Sequence, residues 1–297
     1  MIRNLAAYWQ IRRFIAIGAC LFFAVTCAAA SVHKIGPDLY AYISQNDSSA
    51  NSTFLVTGEG ILVVDTGLND IEGRKLLRHI RAISDAPVKY VVNTHYHPDH
   101  RGGDQIIGPN AIFIGTGFTR DKIVAGRKTP SSQAMANWIT FPRGVTIHLG
   151  GYEVQVYHPG PAHTRGDAVV YFPQQHAIAT GDLFLTNSCP AMDDGDMENW
   201  IVALDQILSL PVDHVVPGHF ELAGKPELRR FRDYLADLRD QVGSLYHEGL
   251  TLDQIKKRLD LRQFTDFRQY PRYEATFADN AASYYSQLKA KKAHGSQ

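Results

Sequence analysis

His95, His97, Asp99 and His100 stand at alternate or adjacent positions in the segment His95-Tyr-His-Pro-Asp-His100. From the residue frequencies, chance alone would place such a pattern in a chain of this length roughly two times in a thousand. Imidazole and carboxylate are groups that Zn²⁺ accepts, at about 2.0–2.2 Å. On a loop leaving a strand, His95 and His97 can point at one ion while Asp99 and His100 turn to another. Structural zinc sites are often closed and cysteine-rich, whereas this cluster has no cysteine and so favours an open, catalytic site. Three later residues offer the same chemistry: His163 in Gly160-Pro-Ala-His-Thr-Arg-Gly-Asp167, Asp182 in Thr180-Gly-Asp-Leu183, and His219 in Val216-Pro-Gly-His219. Each lies near a short apolar strand with Gly or Pro beside it, as a loop carrying a ligand towards a metal would. Singly each reads as a surface histidine or a turn aspartate; in order after the first cluster they extend one ligand set.

These residues need strand ends to hold them, and the surrounding pattern supplies strands. Alternating residues predict strands over Leu39–Ile43 and Thr53–Thr57, and Gly58-Glu-Gly60 turns the chain into a further strand, Ile61–Val64. Ile71, Leu76, Leu77 and Ile80 predict a helix over Asp70–Ile83. Strand Val88–Val92 then runs directly into the histidine cluster. A short helix near Gly103–Ile107 and a strand Ala111–Ile114 follow. After a looser stretch, Gly117–Pro142, strands resume at Val145–Leu149, Tyr152–Tyr157, Ala168–Phe172, His176–Thr180 and His214–Val216. Asn199–Leu210 reads as helix, as does most of the chain beyond Pro226. Strand groups alternating with helices in two similar halves indicate an α/β protein with layered sheets.

The 297 residues are 44% hydrophobic and 20% charged, enough to bury a sizeable core. Thirty Lys and Arg against thirty Asp and Glu leave no basic field for nucleic acid. Residues 1–30 carry Arg3, Arg12 and Arg13 and no acidic residue. A basic stretch, the apolar run Phe14–Val25 and Ala28-Ala-Ala30 follow in the order of a secretory signal, so export with cleavage before Ser31 is expected. The competing reading is a retained membrane anchor. After cleavage, 27 basic residues would face 30 acidic ones, and Cys189 would be the remaining cysteine, leaving no internal disulfide. The expected location is periplasmic or secreted, with no stable membrane insertion.

With these motifs the sequence resembles the metallo-β-lactamase superfamily over about residues 35–220. The resemblance implies an αβ/βα sandwich of two mixed sheets flanked by helices. The expected division is a signal peptide at 1–30, a catalytic domain at 31–224 and a C-terminal helical extension at 225–297. It implies two Zn²⁺ per chain. His95, His97 and His163 would ligate the first, Asp99, His100 and His219 the second, and Asp182 would bridge both. Asp65, in Val63-Val-Asp-Thr-Gly67, would support the histidine loop from behind without touching metal. Asp182 and His100 are similar to the glyoxalase II and hydrolase branches, or to the β-lactamase subclass that uses a histidine after the aspartate. A looser likeness points to exported hydrolases associated with quinoproteins. The sequence departs from lactamases that place a cysteine at the position of Asp182; Cys189, seven residues on, reads as a buried or loop thiol.

The implied reaction is attack by water activated between two zinc ions on an ester, thioester, lactone or amide bond, a lactam included, with Asp99 orienting the nucleophile and helping to protonate the product. A β-lactamase proper, a non-catalytic binding protein on the same fold and a di-iron oxidoreductase are the alternatives. Substrate choice is expected in two loops, Gln45–Ser52 and Gly117–Pro142, the latter with Met135, Trp138 and Phe141, for which core packing is the competing role. Amphipathic spacing after Pro226 predicts helices that pack on the sandwich or on a second copy of the chain. The expected partner is a small-molecule substrate.

Overall fold

The computed structural model describes residues 31–126, 137–192, 194–269 and 273–294. The expected signal segment 1–30 and Met135 lie outside the described residues. Two mixed sheets form the centre. The first has seven strands in chain order: β1 (Ser31–Gly36), β2 (Leu39–Ile43), β3 (Ser52–Thr57), β4 (Gly60–Val64), β5 (Val88–Val92), β6 (Ile112–Thr116) and β7 (Trp138–Phe141). β1 to β4 are antiparallel, and β4 to β7 run parallel. The second sheet has β8 (Gly144–Leu149), β9 (Tyr152–Tyr157), β10 (Val169–Phe172) and β11 (Ala177–Ala179) as antiparallel neighbours, with β12 (His214–Val216) parallel to β11.

Alternation along the strands sorts side chains into three layers. Leu55, Leu62, Val64 and Val92 of the first sheet meet Ile147, Val154, Val156, Val170 and Phe172 of the second, forming the core between the sheets. Their neighbours Phe54, Ile61, Val63, Val91 and Phe113 face the other way, under Leu76 and Ile80 of α1 (Asp70–Arg81) and Ile107 of α3 (Asp104–Ile107). On the far side, Val169, Tyr171, Ile178 and Val215 lie beneath Trp200 and Leu204 of α5 (Met197–Ser209) and Phe231 and Leu235 of α6 (Lys225–His247). The order is helix, sheet, sheet, helix, as expected. The helices start where caps allow: Asn69 accepts from the amides of Ile71 and Glu72, and Asp196 from that of Asn199.

The C-terminal helices α6, α7 (Leu252–Arg258) and α8 (Tyr273–His294) pack on α5 and on one another. The buried Asn280 of α8 grips the segment before α5, accepting from the Met192 amide at 2.7 Å and donating to the Pro190 carbonyl at 3.0 Å. None of the described helices is long and apolar enough to cross a membrane.

Two strands escape the sequence pattern. β1 has only Ile35 buried, so it shows no alternation, yet it pairs with β2. β7 falls in the stretch expected to be loose. It adds parallel to β6, with Trp138 stacked on Phe113 at 5.6 Å between ring centroids and Phe141 in the inter-sheet core. Both aromatic residues therefore take the packing role. A helix, α4 (Gly117–Ala125), fills the beginning of the same stretch.

Candidate metal centre

The register places the candidate residues on one edge. β4 and β5 are parallel with Val64 opposite Val92, so their carboxyl ends, leading to Asp65 and to His95, coincide. In the second sheet Ala179 pairs with both Val170 and Val216, and Val169 pairs with Tyr157. The ends of β9, β11 and β12, leading to His163, Asp182 and His219, therefore lie together as well. Asp99 and His100 ride on α2 (Pro98–Arg101), a single turn that Pro98 starts with its φ already suited to a helix.

Two clusters result. His95, His97, His163 and Asp182 each offer a ligand atom within 4.8 Å of the others, and Asp99, His100, Asp182 and His219 do the same. All seven residues expected as ligands are thus brought together, and Asp182 belongs to both groups. Its Oδ1 lies 3.1 Å from His100 Nε2 and 3.6 Å from His219 Nε2, and its Oδ2 lies 3.7 Å from His163 Nε2. His219 Nε2 is 3.2 Å from Asp99 Oδ2, and His163 Nε2 is 3.2 Å from His97 Nδ1. Close packing enforces this: a Cβ on Gly218 would sit 2.0 Å from Asp182 Oδ1, so only glycine lets the His219 loop approach.

Asp65 takes the supporting position. Its Oδ2 accepts from His100 Nδ1 at 2.8 Å and from the Thr94 hydroxyl at 2.7 Å, and its Oδ1 accepts from the Thr94 amide at 2.9 Å. In the neutral ring, a proton on Nδ1 held by Asp65 makes Nε2 the lone pair offered to the second cluster. Asp65 itself has φ +54, a left-handed conformation that carboxylate and amide side chains tolerate better than most.

The charges respond to one another. Burial opposes a proton on His100, but Asp182, Asp65 and Asp99 outweigh it and hold its pKa well above the ordinary value. Burial likewise disfavours the Asp182 carboxylate, yet His100 and His219 keep its pKa well below the usual range. Burial, reinforced by the nearby imidazoles, lowers His95 well below its usual value, and burial takes His163 down to about 4. Neutral His95 and His163 beside ionised carboxylates are the forms a cation binds, and a cation at the second cluster would displace a proton from His100. The buried His95 Nε2 has no hydrogen-bond partner among the described residues, a cost that coordination would remove. The donor set, three imidazoles and a carboxylate in one cluster and two of each in the other, fits Zn²⁺ in both places.

Cys189 stands apart. It is buried among apolar side chains against Asn280, and burial pushes its thiol up to about 12, so it stays protonated.

Several groups that hold the site carry no signal in the sequence. Trp200 stands 5.8 Å from the His163 ring, and its indole donates to the Leu183 carbonyl in the Asp182 turn. Asp167 accepts from the Thr164 amide at 2.8 Å and hydroxyl at 2.5 Å, fixing the His163 loop. Asp104 accepts from the Thr66 hydroxyl and the Asn93 amide group. Asn199 donates to the carbonyls of Pro159 and Pro161. The second half of the loop Gln45–Ser52 is tied into the metal centre: Ser49, Ala50, Asn51 and Ser52 are buried, and Ala50 donates to the Asp99 carbonyl.

The chain is similar to several known proteins. The linear primary-alkylsulfatase of a Pseudomonas species is 24% identical over 78% of this chain; the alignment covers 52% of that protein, so the chain spans about half its length. The type 2 metallo-beta-lactamase of Elizabethkingia meningoseptica is 24% identical over 71% of this chain and 86% of its own. The solved structure of a metallo-beta-lactamase from Pontibacter korlensis superposes with a TM-score of 0.60 at 25% identity, over 70% of this chain and 99% of that one. The model of the metallo-beta-lactamase superfamily matches residues 46–219, a span that runs from the loop before β3 through His219 and takes in every candidate ligand. The chain belongs to the metallo-beta-lactamase superfamily.

Proposed function

We propose that the protein is a hydrolase that holds two zinc ions and cleaves an ester, thioester, lactone or amide bond. The observation that carries this is the pair of ligand clusters sharing Asp182. His95, His97 and His163 would hold one ion, Asp99, His100 and His219 the other, with Asp182 between them. Zinc bound there supplies Lewis acidity, making water a nucleophile near neutral pH and polarising the scissile carbonyl. The protein's own part is positioning and proton handling. Asp99 has a side chain 26% exposed, against 8% or less for its three cluster partners, so it can reach a substrate-side proton. Burial disfavours its charged form, but His100 and His219 outweigh it and hold its pKa below the ordinary carboxylate value, so Asp99 stays ionised, the form that binds a cation. Tyr96 and Phe118, 6.1 Å apart with Tyr96 against His97, give the mouth an aromatic wall.

The test is a zinc-reconstituted sample assayed on a panel of esters, thioesters, lactones, β-lactams and alkyl sulfates, the last because a relative is an alkylsulfatase. Turnover that disappears on chelation and returns with zinc is expected. No turnover of any hydrolysable class by protein carrying two ions would defeat the proposal. Export remains part of the same reading: N-terminal sequencing of protein from its native cells is expected to begin near Ser31, and an intact Met1 recovered from a cytoplasmic fraction would remove it.

A further inference from the structure

Loop 44–52 touches the metal centre at the second cluster, through the backbones around Asp99 and His219. The Ala50 amide donates to the Asp99 carbonyl at 3.1 Å. Asn51 then takes hold of the chain on either side of His219: its backbone amide donates to the Gly218 carbonyl at 2.7 Å, and its side-chain amide donates to the carbonyls of Pro217 at 3.1 Å and Phe220 at 2.8 Å. The side-chain oxygen accepts from the Ser44 amide at 3.0 Å, which fixes which end of the amide faces the carbonyls. Asn51 is 3% exposed, and its hydrogen-bonding groups are engaged in holding other segments.

The backbone it grips is strained. Phe220 has φ +71, a left-handed conformation that a bulky L-residue avoids because its Cβ crowds the backbone. A residue so strained needs a restraint, and His219, which lies against Asp99 and Asp182, is its chain neighbour. The Asn51 amide supplies the restraint on the Phe220 carbonyl. Thr186 secures the next one, donating to the Glu221 carbonyl at 2.7 Å.

We infer that Asn51 is a positioning residue for the second metal ion: with Ala50 it clasps the backbones of Asp99 and His219, and it holds the strained turn that aims His219. The inference rests on the two-ion reading above and deepens it, since it makes the affinity of one ion depend on a loop that donates no ligand. A role in stability alone would weaken both ions together or neither.

Metal-free full-length protein, titrated with Zn²⁺ in a calorimeter, tests this. His219→Ala identifies the second-cluster step by abolishing it. Asn51→Ala is expected to weaken that step about tenfold to a hundredfold, the range seen when groups that orient ligands are lost, and to leave the other within about threefold. If Asn51→Ala does not fold, Asn51→Asp serves: it keeps the shape and the bond from Ser44 but cannot donate to Pro217 or Phe220. Unchanged affinity at the second step, or equal losses at both, overturns the inference while leaving the two-ion reading intact. A wild-type protein that takes up only one ion overturns both.

Discussion

Asp65→Asn is nearly isosteric, yet it should cost the second metal ion much of its affinity, and the reason lies in where three hydrogen atoms point. Asp65 Oδ2 receives two donors, the Thr94 hydroxyl at 2.7 Å and His100 Nδ1 at 2.8 Å, and Oδ1 receives the Thr94 amide at 2.9 Å. An asparagine can adopt two orientations there. With its NH₂ at the Oδ2 position, it faces His100 Nδ1 donor to donor unless the imidazole moves its proton to Nε2, the atom that should carry a lone pair into the second cluster. With its NH₂ at the Oδ1 position, it faces the Thr94 amide instead, and two buried donors go unpaired at about 1–3 kcal/mol. Either way the ligand is misprotonated or its loop is loosened. Loss of a group that orients a metal-bound histidine typically costs roughly 10- to 100-fold in affinity, or about 1.4–2.7 kcal/mol.

The assay is the same zinc titration, read together with the ¹⁵N shifts of His100 in the metal-free protein at a pH above its titration, where the ring carries one proton. Asp65→Asn should shift the second step by that factor and move the His100 proton from Nδ1 towards Nε2. Asp65→Ala, which leaves Nδ1 without its partner, should do at least as much damage. A variant that binds both ions as wild type does, with the tautomer unchanged, would refute the argument from the hydrogen bonds.

Because Asp182 belongs to both clusters, Asp182→Ala should lose most bound zinc and activity while near-ultraviolet circular dichroism still reports a packed core; two tightly held ions in that variant would contradict its bridging position. Cys189→Ser should keep both ions, since the thiol is buried against Asn280, and metal analysis of the purified variant checks it. Asp104→Asn should stabilise the metal-free protein increasingly as pH rises. Burial pushes the Asp104 carboxyl from 3.8 to about 7 against the pull of its bonds from Asn93 and Thr66. The folded chain therefore holds a proton that the unfolded chain has released, and stability falls as pH climbs from about 4 to 7. The amide escapes that loss, worth at most about 4 kcal/mol. Urea melts at pH 5 and pH 8 should show its advantage growing with pH, and a shrinking advantage would reverse the sign.

The seven candidate ligands were legible as a set. Spacing within His95-x-His-x-Asp-His100 ties four of them to one loop, and His163, Asp182 and His219, each weak alone, follow in order near short apolar strands beside Gly or Pro. The strands were legible for another reason: burial on both sides of each sheet fills most inner positions with Val, Ile, Leu or Phe, and the turns between carry Gly or Pro. β1 offered little of either signal: it is an edge strand with one neighbour, so few of its residues need be apolar. β7, at the other edge, is apolar at three of four positions but too short to show a period.

The groups that hold the ligands in place were hidden by a different cause. Asn51, Asp104, Asp167 and Asn199 belong to residue types that ordinarily make loops and turns, and that is the default reading of each in sequence. What distinguishes them is the partner, and for Asn51 and Asn199 the partner is a backbone carbonyl, which every residue possesses. The Asn51 amide reaches Pro217 and Phe220, 166 and 169 residues away, across the gap between the sheets. No side-chain pattern at either end marks such a bond in advance. It becomes visible when the carboxyl ends of β4 and β12 are brought to the same edge, and at that edge a strained Phe220 shows what the bond is restraining. Ligand identity is thus written in residue type, whereas ligand aim is written in topology.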